Sequence, residues 1–199
     1  MNHPLIENYY TTLCSTTSDI NEHLPILRSL SLECDSITEM GVRWVVSTFA
    51  FVASSPKKLT CIDLVHPDQF GTEAKHRIDI IQDYSTNNNI KFSLIIGDTL
   101  SIDIEETDLL FIDTLHTYSQ CIKELKKHAN KVKKYIVLHD TTLFGDCDDE
   151  GMQFSHPDRY HPIKHGLNLA IKEFLEENEN WKIKEIKTNN NGLTILTKL

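Results

Sequence analysis

The chain of 199 residues is long enough to bury the core of one domain, and we treat residues 1–199 as a single domain. Its net charge of −9, with no basic cluster to offset it, argues against a protein that follows nucleic-acid phosphates. No apolar run reaches the roughly 18 residues of a membrane span, and the N-terminus lacks the features of a secretory signal. Five cysteines without paired metal spacing are typical of free thiols in a reducing compartment, so we expect a cytoplasmic protein with no membrane partner.

The first two patterns along the chain predict an N-terminal helical cap over residues 1–33. Apolar residues at helical spacing predict one short helix within residues 1–17 and a second from about residue 20 to residue 33. Ser18 and Asp19 are candidate N-caps of the second helix, and Glu22 follows Asp19 at the spacing of a capping box. We expect this cap to cover the sheet or the mouth of a crevice.

The rest of the sequence alternates between strand and helix patterns. Strands are predicted at residues 36–39, 60–64, 90–96, 109–112 and 135–138. Helices are predicted at residues 43–53, 72–84, 117–128 and 166–177. An Asn-Gly pair then joins strand patterns at 181–188 and 193–199, which indicates a hairpin. The fold class that follows is α/β, a Rossmann-like three-layer α/β/α sandwich whose mixed seven-stranded sheet ends in a C-terminal antiparallel hairpin.

Ionisable residues follow the strands at 109–112 and 135–138. A strand–helix–strand unit without a hairpin turn is a parallel crossover, so Asp113, His116, His139 and Asp140 should meet at one edge of the sheet. The carboxylates of Asp113 and Asp140 suit Mg²⁺ or another divalent cation. His139 is either a third ligand or faces away, because adjacent strand residues point to opposite faces. His116 suits a general base, and the alternative is a histidine that caps or packs the next helix.

The earlier strand ends carry groups that suit a cofactor. Gly41 permits a close turn between the first strand and the next helix, although a lone glycine there is often structural and no Gly-x-Gly-x-x-Gly is present. Glu39, Asp63 and Asp98 place three acids at three successive strand ends. This pattern suits a ligand with ribose and amino donors and no phosphate, and S-adenosylmethionine is such a ligand.

Residues 141–165 lack periodicity and predict a lid loop. Cys147 with His156, His161 and His165 suggests a zinc set, but the spacings fit no standard pattern. A mobile polar lid over an acceptor pocket is the better interpretation.

Taken in order, these motifs resemble class I S-adenosylmethionine-dependent methyltransferases, and among them the metal-dependent sugar O-methyltransferases. The motifs are Glu39-x-Gly41, Ser47, Asp63, Gly97-Asp98, Phe111-Ile-Asp-x-x-His-x-Tyr118 and Leu138-His-Asp-Thr141. Further similarity over residues 18–24 and 166–175, at Trp181 and over residues 189–193 extends the resemblance over nearly the whole chain.

The resemblance implies a role for each of these residues. The cofactor S-adenosylmethionine would be bound by Glu39, Gly41, Ser47, Asp63, Asp98 and Asp113. Asp113 and Asp140 would hold Mg²⁺ with His139 beside them, and His116, together with Asp113, would be catalytic, with His116 as the base. The sequence departs from the common pattern in having one glycine in the first turn instead of Gly-x-Gly, which leaves the cofactor contacts of that turn open.

The function predicted on this basis is Mg²⁺-assisted methyl transfer to a hydroxyl of a sugar or glycan acceptor. One alternative is the same fold acting on another vicinal diol, such as a catechol, and a second is a non-catalytic methyltransferase-like binding protein. A hydrolase is a poorer option, because no nucleophile stands in a Gly-x-Ser-x-Gly elbow. Small methyltransferases of this kind often form homodimers, but nothing in the sequence marks an interface.

Overall fold

Seven strands form one sheet in the order β3-β2-β1-β4-β5-β7-β6 in the computed structural model, which describes residues 4–199. The strands are β1 Ser36–Met40, β2 Lys58–Asp63, β3 Lys91–Ile96, β4 Thr107–Ile112, β5 Val132–His139, β6 Trp181–Lys187 and β7 Leu193–Lys198. The five strands β1 to β5 pair in parallel, and β7 runs antiparallel to both β5 and β6. The predicted mixed sheet with its C-terminal hairpin is therefore confirmed.

Helices cover both faces of this sheet. They are α1 Pro4–Ser15, α2 Leu24–Ser31, α3 Ser47–Val52, α4 Thr72–Asn87, α5 Tyr118–His128 and α6 Leu167–Glu177. One buried apolar cluster joins α1 to α4 to one face of the sheet, and a second joins α5 and α6 to the other. The predicted three-layer arrangement is confirmed.

The central strand β4 shows how the sequence divides its side chains between the two layers. Leu109 and Phe111 belong to the cluster under α1 to α4, whereas Leu110 and Ile112 belong to the cluster under α5 and α6. All four side chains are buried, as expected for a parallel strand between two helical layers. The alternation follows from the two-residue period of a strand.

The helix predicted at residues 43–53 is the clearest error in the element boundaries. The structure has a turn at residues 41–46, which we call the first turn, and α3 begins only at Ser47. Gly41, Arg43 and Val45 have φ values of 87°, 44° and 60°, which a right-handed helix does not contain. Val42 and Val45 of this turn are buried in the cluster on one face of the sheet, and their three-residue spacing resembles that of a helix.

The N-terminal cap is formed by α1, α2 and a short 3₁₀ turn, Asn21–His23, between them. The predicted capping box is wrong: α2 begins at Leu24 and no side chain caps it. The Ser18 hydroxyl instead accepts a hydrogen bond from the Ile20 amide, and the Asn21 side chain accepts one from the Ser18 amide. The polar residues at 18–22 thus stabilise the turn before the helix.

No helix within residues 4–199 is both long enough and apolar enough to cross a membrane.

All five cysteines have free thiols, and those of Cys34, Cys61 and Cys121 are buried.

Candidate active site

The candidate site lies where the strand order of the sheet reverses. The chain passes from β1 outward through β2 and β3 and then returns to place β4 on the other side of β1. Ligands of open α/β sheets bind at such a switch point, outside the carboxyl ends of the strands. A crevice of about 120 Å³ opens here, and it is lined by residues of the first turn and Ser47, by Asp113, Thr114, His116 and Asp140, and by Asp19 and Ile20.

Gly41 fixes the distance between the two strand ends that form the crevice. A Cβ atom at this position would overlap the carbonyl oxygen of Asp113, and the φ of 87° also favours glycine. The Asp113 amide donates to the Met40 carbonyl at 2.8 Å, so the two strand ends are joined directly. Here the lone glycine is needed for a close backbone contact.

Four side chains converge at the ends of β4 and β5, and we call them the edge cluster: Asp113, His116, His139 and Asp140. His116 Nε2 lies 3.2 Å from Asp113 Oδ1 and 2.8 Å from Asp140 Oδ2. His139 Nδ1 lies 3.4 Å from Asp113 Oδ1 and 3.3 Å from Asp140 Oδ2, but it is aligned with neither oxygen for a hydrogen bond. The convergence that the parallel crossover predicts is therefore present.

The backbone explains how the adjacent residues His139 and Asp140 both face the cluster. His139 is the last residue of β5, and Asp140 leaves the strand with a φ of 59°. This left-handed conformation breaks the alternation of the strand and turns the Asp140 side chain back towards that of His139. The His139 imidazole thus faces the site.

Opposite charges dominate the electrostatics of the edge cluster. Burial lowers the pKa of His116, but its contacts with Asp113 and Asp140 outweigh burial and raise that pKa to about 9. Burial also lowers the pKa of His139, but the charge of Asp113 is the main opposing cause, and the pKa is raised to about 10. Burial raises the pKa of Asp140, but the two histidines lower it to about 2. Two imidazolium and two carboxylate groups therefore neutralise one another when no cation is bound.

The cluster also fits a divalent cation. Asp140 Oδ1 and His139 Nδ1 are buried and lack a hydrogen-bond partner among the described residues. Ligand atoms of Asp113, His139 and Asp140 lie within 4.8 Å of one another, and these three residues are the only metal-type group within residues 4–199. The zinc set weighed for Cys147 and the histidines of the lid is accordingly not assembled there. The two carboxylates suit Mg²⁺ or Mn²⁺, whereas the imidazole is a donor that transition metals take more readily than Mg²⁺ does.

His116 contacts the lid at one face of its ring and near its Nδ1 atom. It stacks on Phe144 with ring centroids 5.0 Å apart and an angle of 2° between the planes. Its Nδ1 lies 3.9 Å from Asp149 Oδ2, and its backbone carbonyl accepts a hydrogen bond of 2.9 Å from the Asp149 amide. The lid therefore supplies both a stacking partner and a nearby carboxylate, and Nε2 is left facing the crevice.

The predicted cofactor residues do not all reach the crevice. Gly41 and Ser47 line it. Asp63 Oδ2 accepts hydrogen bonds from the amides of Val42 and Arg43 at 2.8 and 2.9 Å, so this carboxylate holds the first turn in place. Its position at the end of β2 agrees with the prediction. The donors that it binds, however, are backbone amides of the protein and not donors of a ligand.

Glu39 lies fully buried beneath the first turn. Its carboxyl accepts hydrogen bonds from the hydroxyls of Ser47 and Thr48 at 2.5 and 2.8 Å and from the thiol of Cys61 at 3.2 Å. Burial raises the pKa of Glu39 to about 7, and these hydrogen bonds only partly oppose it. Glu39 therefore supports Ser47, which reaches the crevice, and does not itself line it.

Asp98 lies outside the crevice and is paired with the lid. Its Oδ2 accepts a hydrogen bond of 2.6 Å from Arg159, and its Oδ1 accepts one of 2.9 Å from the Leu100 amide. Gln120 holds the same guanidinium through Oε1 at 2.9 Å. The predicted lid is thus attached to the end of β3 and to the start of α5.

Three features of the site lie beyond the sequence predictions. The N-terminal cap was expected at the sheet or at the mouth of a crevice, and its residues Asp19 and Ile20 do line the crevice, although the sequence marked Asp19 only as a helix cap. Trp44 also lines the crevice and is 44% exposed, although its position in an apolar run predicts a buried side chain. The carbonyl of Asn190, in the turn between β6 and β7, accepts from His139 Nε2 at 3.3 Å. The Asn-Gly pattern predicts that turn but not its contact with the site.

No protein-family model matches the sequence, and neither does any curated protein. Solved structures do match the fold. The O-methyltransferase TomG from Streptomyces achromogenes, in complex with S-adenosylmethionine, has a TM-score of 0.64 and 13% identity over 100% of this chain and 91% of that chain. An O-methyltransferase from Bacillus cereus in complex with S-adenosylhomocysteine has a TM-score of 0.59 and 12% identity over 100% and 92%. The Podospora anserina methyltransferase PaMTH1, also bound to S-adenosylhomocysteine, has a TM-score of 0.58 and 12% identity over 99% and 88%.

At this level of identity the matches establish the fold. The chain has the Rossmann-like fold of class I S-adenosylmethionine-dependent methyltransferases, and several solved proteins of that fold hold the cofactor or its product.

Proposed function

We propose that the protein is an S-adenosylmethionine-dependent O-methyltransferase that methylates a hydroxyl of a sugar or glycan, assisted by Mg²⁺ or a similar cation. The observation that carries this proposal is the edge cluster: two carboxylates and two imidazoles converge at the switch point of a methyltransferase fold. A non-catalytic binding protein has no need to bury this cluster with ligand atoms left unpartnered.

Asp113, His139 and Asp140 are the residues that would hold the cation. When bound, a divalent cation supplies Lewis-acid chemistry, which lowers the pKa of a hydroxyl that it contacts. The backbone of the first turn and Ser47 form the opposite wall of the crevice, where we place the methionine end of the cofactor. The methyl donor and the acceptor would then be held side by side, which accounts for much of the expected rate.

His116 would act as the general base through Nε2. A cation held by Asp113 and Asp140 would compensate the charges of these carboxylates, which otherwise stabilise the imidazolium, so the His116 ring would be neutral and able to accept a proton. The acceptor O–H bond breaks and its proton passes to this nitrogen, while the acceptor oxygen forms a bond to the methyl carbon. The bond from that carbon to sulfur breaks, and its electron pair remains on sulfur as the thioether of S-adenosylhomocysteine. Stacking on Phe144 and the nearby Asp149 carboxylate hold the imidazole in position for this transfer.

The side chains at the mouth of the crevice favour a sugar over a flat catechol as the acceptor. Asp19 and Arg43 lie there with charged side chains that are about half exposed, 3.9 Å apart. Trp44 is partly exposed beside them, and the Arg43 guanidinium lies over its ring at 4.1 Å. Charged hydrogen-bonding groups around an accessible indole suit a polyhydroxylated ring.

The buried free thiols agree with a cytoplasmic location, which remains a prediction. A homodimer also remains a prediction.

The proposal is tested by calorimetric titration of S-adenosylhomocysteine into the protein, followed by methyl-transfer assays with glycan and catechol acceptors in Mg²⁺ and in EDTA. We expect micromolar binding of S-adenosylhomocysteine in both buffers and methyl transfer to a sugar only with the cation. Absence of binding in both buffers would refute the methyltransferase assignment.

Two other outcomes would correct the proposal in part. Transfer that is equally fast in EDTA would remove the cation from the proposal. Transfer to the catechol alone would replace the sugar by another vicinal diol.

A further inference from the structure

The turn between β6 and β7 lies against the edge cluster and against the N-terminal cap. It consists of residues 189–192, and Asn190, Asn191 and Gly192 have φ values of 46°, 67° and 97°. Three consecutive residues in the left-handed region form a tight loop, which directs the Asn190 carbonyl inward. A Cβ atom on Gly192 would overlap the Thr142 amide, so the turn also packs directly against the start of the lid.

The Asn190 carbonyl oxygen is shared by two buried histidines. It accepts from His139 Nε2 at 3.3 Å and from His23 Nε2 at 3.2 Å, and His23 Nε2 also lies 3.0 Å from the Asn189 carbonyl. The His23 and His139 rings are 1% and 2% exposed and meet edge to face at 5.6 Å. A carbonyl oxygen accepts and does not donate, so both Nε2 atoms carry a hydrogen.

This hydrogen bond selects the tautomer of His139. With the proton on Nε2, the neutral ring presents the Nδ1 lone pair, and Nδ1 is the atom that faces Asp113 and Asp140 without a hydrogen-bond partner. A metal-bound histidine normally donates its other nitrogen to a carbonyl or carboxylate, which fixes the ring and its tautomer.

The Asn190 side chain ties the same turn to the N-terminal cap. Its amide nitrogen donates to the Ser18 carbonyl at 2.7 Å, and its amide oxygen accepts from the Glu22 amide at 3.0 Å. These two hydrogen bonds hold both sides of the segment whose Asp19 and Ile20 line the crevice. The cap and the candidate metal ligand His139 are thus fixed by one residue.

We infer that Asn190 is a positioning residue for the cation site: its backbone carbonyl holds His139 in the metal-binding tautomer, and its side chain locks that carbonyl in place against the N-terminal cap. The inference rests on the cation site of the proposed function. It predicts that the Asn190 side chain, which does not touch the cation, sets the affinity of the site for the cation.

The test is a titration of the full chain with Mn²⁺, followed by electron paramagnetic resonance, for the wild type, Asn190→Gly and Asn191→Gly. Glycine at position 190 keeps the left-handed backbone and the carbonyl but removes both side-chain hydrogen bonds. Asn191 is the matched control, because it has the same residue type and a similar φ, and its side chain makes no hydrogen bond within residues 4–199. We expect the Kd for Mn²⁺ to rise roughly tenfold or more in Asn190→Gly and to stay within about twofold in Asn191→Gly.

A second measurement keeps the inference testable if Asn190→Gly fails to fold. Two-bond ¹H–¹⁵N spectra of the wild type with Mg²⁺ should show His23 and His139 protonated at Nε2. A His139 protonated at Nδ1, or equal Mn²⁺ affinities in folded Asn190→Gly and the wild type, would overturn the inference. A wild type that binds S-adenosylhomocysteine but no Mn²⁺ would overturn it together with the cation site, while the methyltransferase proposal would remain.

Discussion

The two parts of the site, the first turn and the edge cluster, use carboxyl groups in opposite ways. Beneath the first turn, Glu39 is surrounded by hydroxyl and thiol donors, and burial raises its pKa to about 7. In the edge cluster, Asp140 is also buried, but two imidazoles lower its pKa to about 2. One carboxyl therefore supports the wall of the crevice, and the other keeps a negative charge and an unpartnered oxygen for chemistry. The difference lies in the neighbours, since both residues are acids at the same edge of one sheet.

The largest effect is expected from removing the base of the edge cluster. His116→Ala should lower kcat roughly 10²- to 10⁴-fold, because the proton acceptor is lost. The affinity for S-adenosylhomocysteine should change little, since the first turn remains intact. Steady-state kinetics and calorimetry measure the two quantities. His76→Ala, at an exposed histidine on α4, is the control and should match the wild type. Turnover retained by His116→Ala would eliminate this residue as the base.

The contact between the first turn and the edge cluster is tested by Gly41→Ala. The added methyl group overlaps the Asp113 carbonyl and the residue keeps an unfavourable φ, so we expect at least about 3 kcal/mol of lost stability or failure to fold. Gly71→Ala is a matched control, because φ is 113° there but no atom lies within 4 Å of the new Cβ. Unfolding in urea should show a smaller loss for Gly71→Ala. Equal losses would mean that backbone strain alone, and not the contact with Asp113, requires glycine at position 41.

The pH dependence of stability sharpens the contrast between the two carboxyls. Because folding raises the pKa of Glu39 from 4.5 to about 7, the folded state binds its proton more tightly than the unfolded state does. The stabilising contribution is complete below pH 4.5 and is lost as the pH rises through 7, at a cost of up to about 3 kcal/mol. Glu39→Gln should remove this part of the pH dependence.

Urea unfolding of the wild type and Glu39→Gln at pH 5 and pH 8 measures this effect. Glu176→Gln, at an exposed position of α6, serves as the control and should keep the wild-type profile. If Glu39→Gln loses as much stability as the wild type between the two pH values, another group is responsible.

The smallest effect concerns the third acid of the same sheet edge. Asp98 is paired with Arg159, and the side chains are only 27% and 14% exposed. Arg159→Ala should destabilise the fold by about 1–2 kcal/mol and make residues 141–165 more sensitive to proteolysis, because it releases the lid from β3 and α5. The exposed pair Lys126–Glu177 offers a control, since Lys126→Ala should cost less than about 1 kcal/mol. Unchanged proteolysis of Arg159→Ala would show that the pair does not attach the lid.

The sequence by itself determined the order of the elements and the edge of the sheet that carries the chemistry. Apolar alternation and the hairpin turn at Asn-Gly are local properties, and the rule that parallel strands share a carboxyl edge brought Asp113, His116, His139 and Asp140 together. Only the tertiary structure decided which atoms face the crevice. The φ of 59° at Asp140 turns that side chain towards His139, and a left-handed residue cannot be read from an Asp in a strand pattern.

The same limit explains the remaining differences between prediction and structure. The first turn has helical spacing, but its positive φ values arise from packing on Asp113 and from the hydrogen bonds that Asp63 accepts. Asp19 and Asn190 lie far from the edge cluster in sequence, and only the packing of the cap and the final hairpin brings them to it. Local pattern specifies what each segment forms, whereas contacts between distant segments decide which side chains meet, because those contacts depend on the whole packed core.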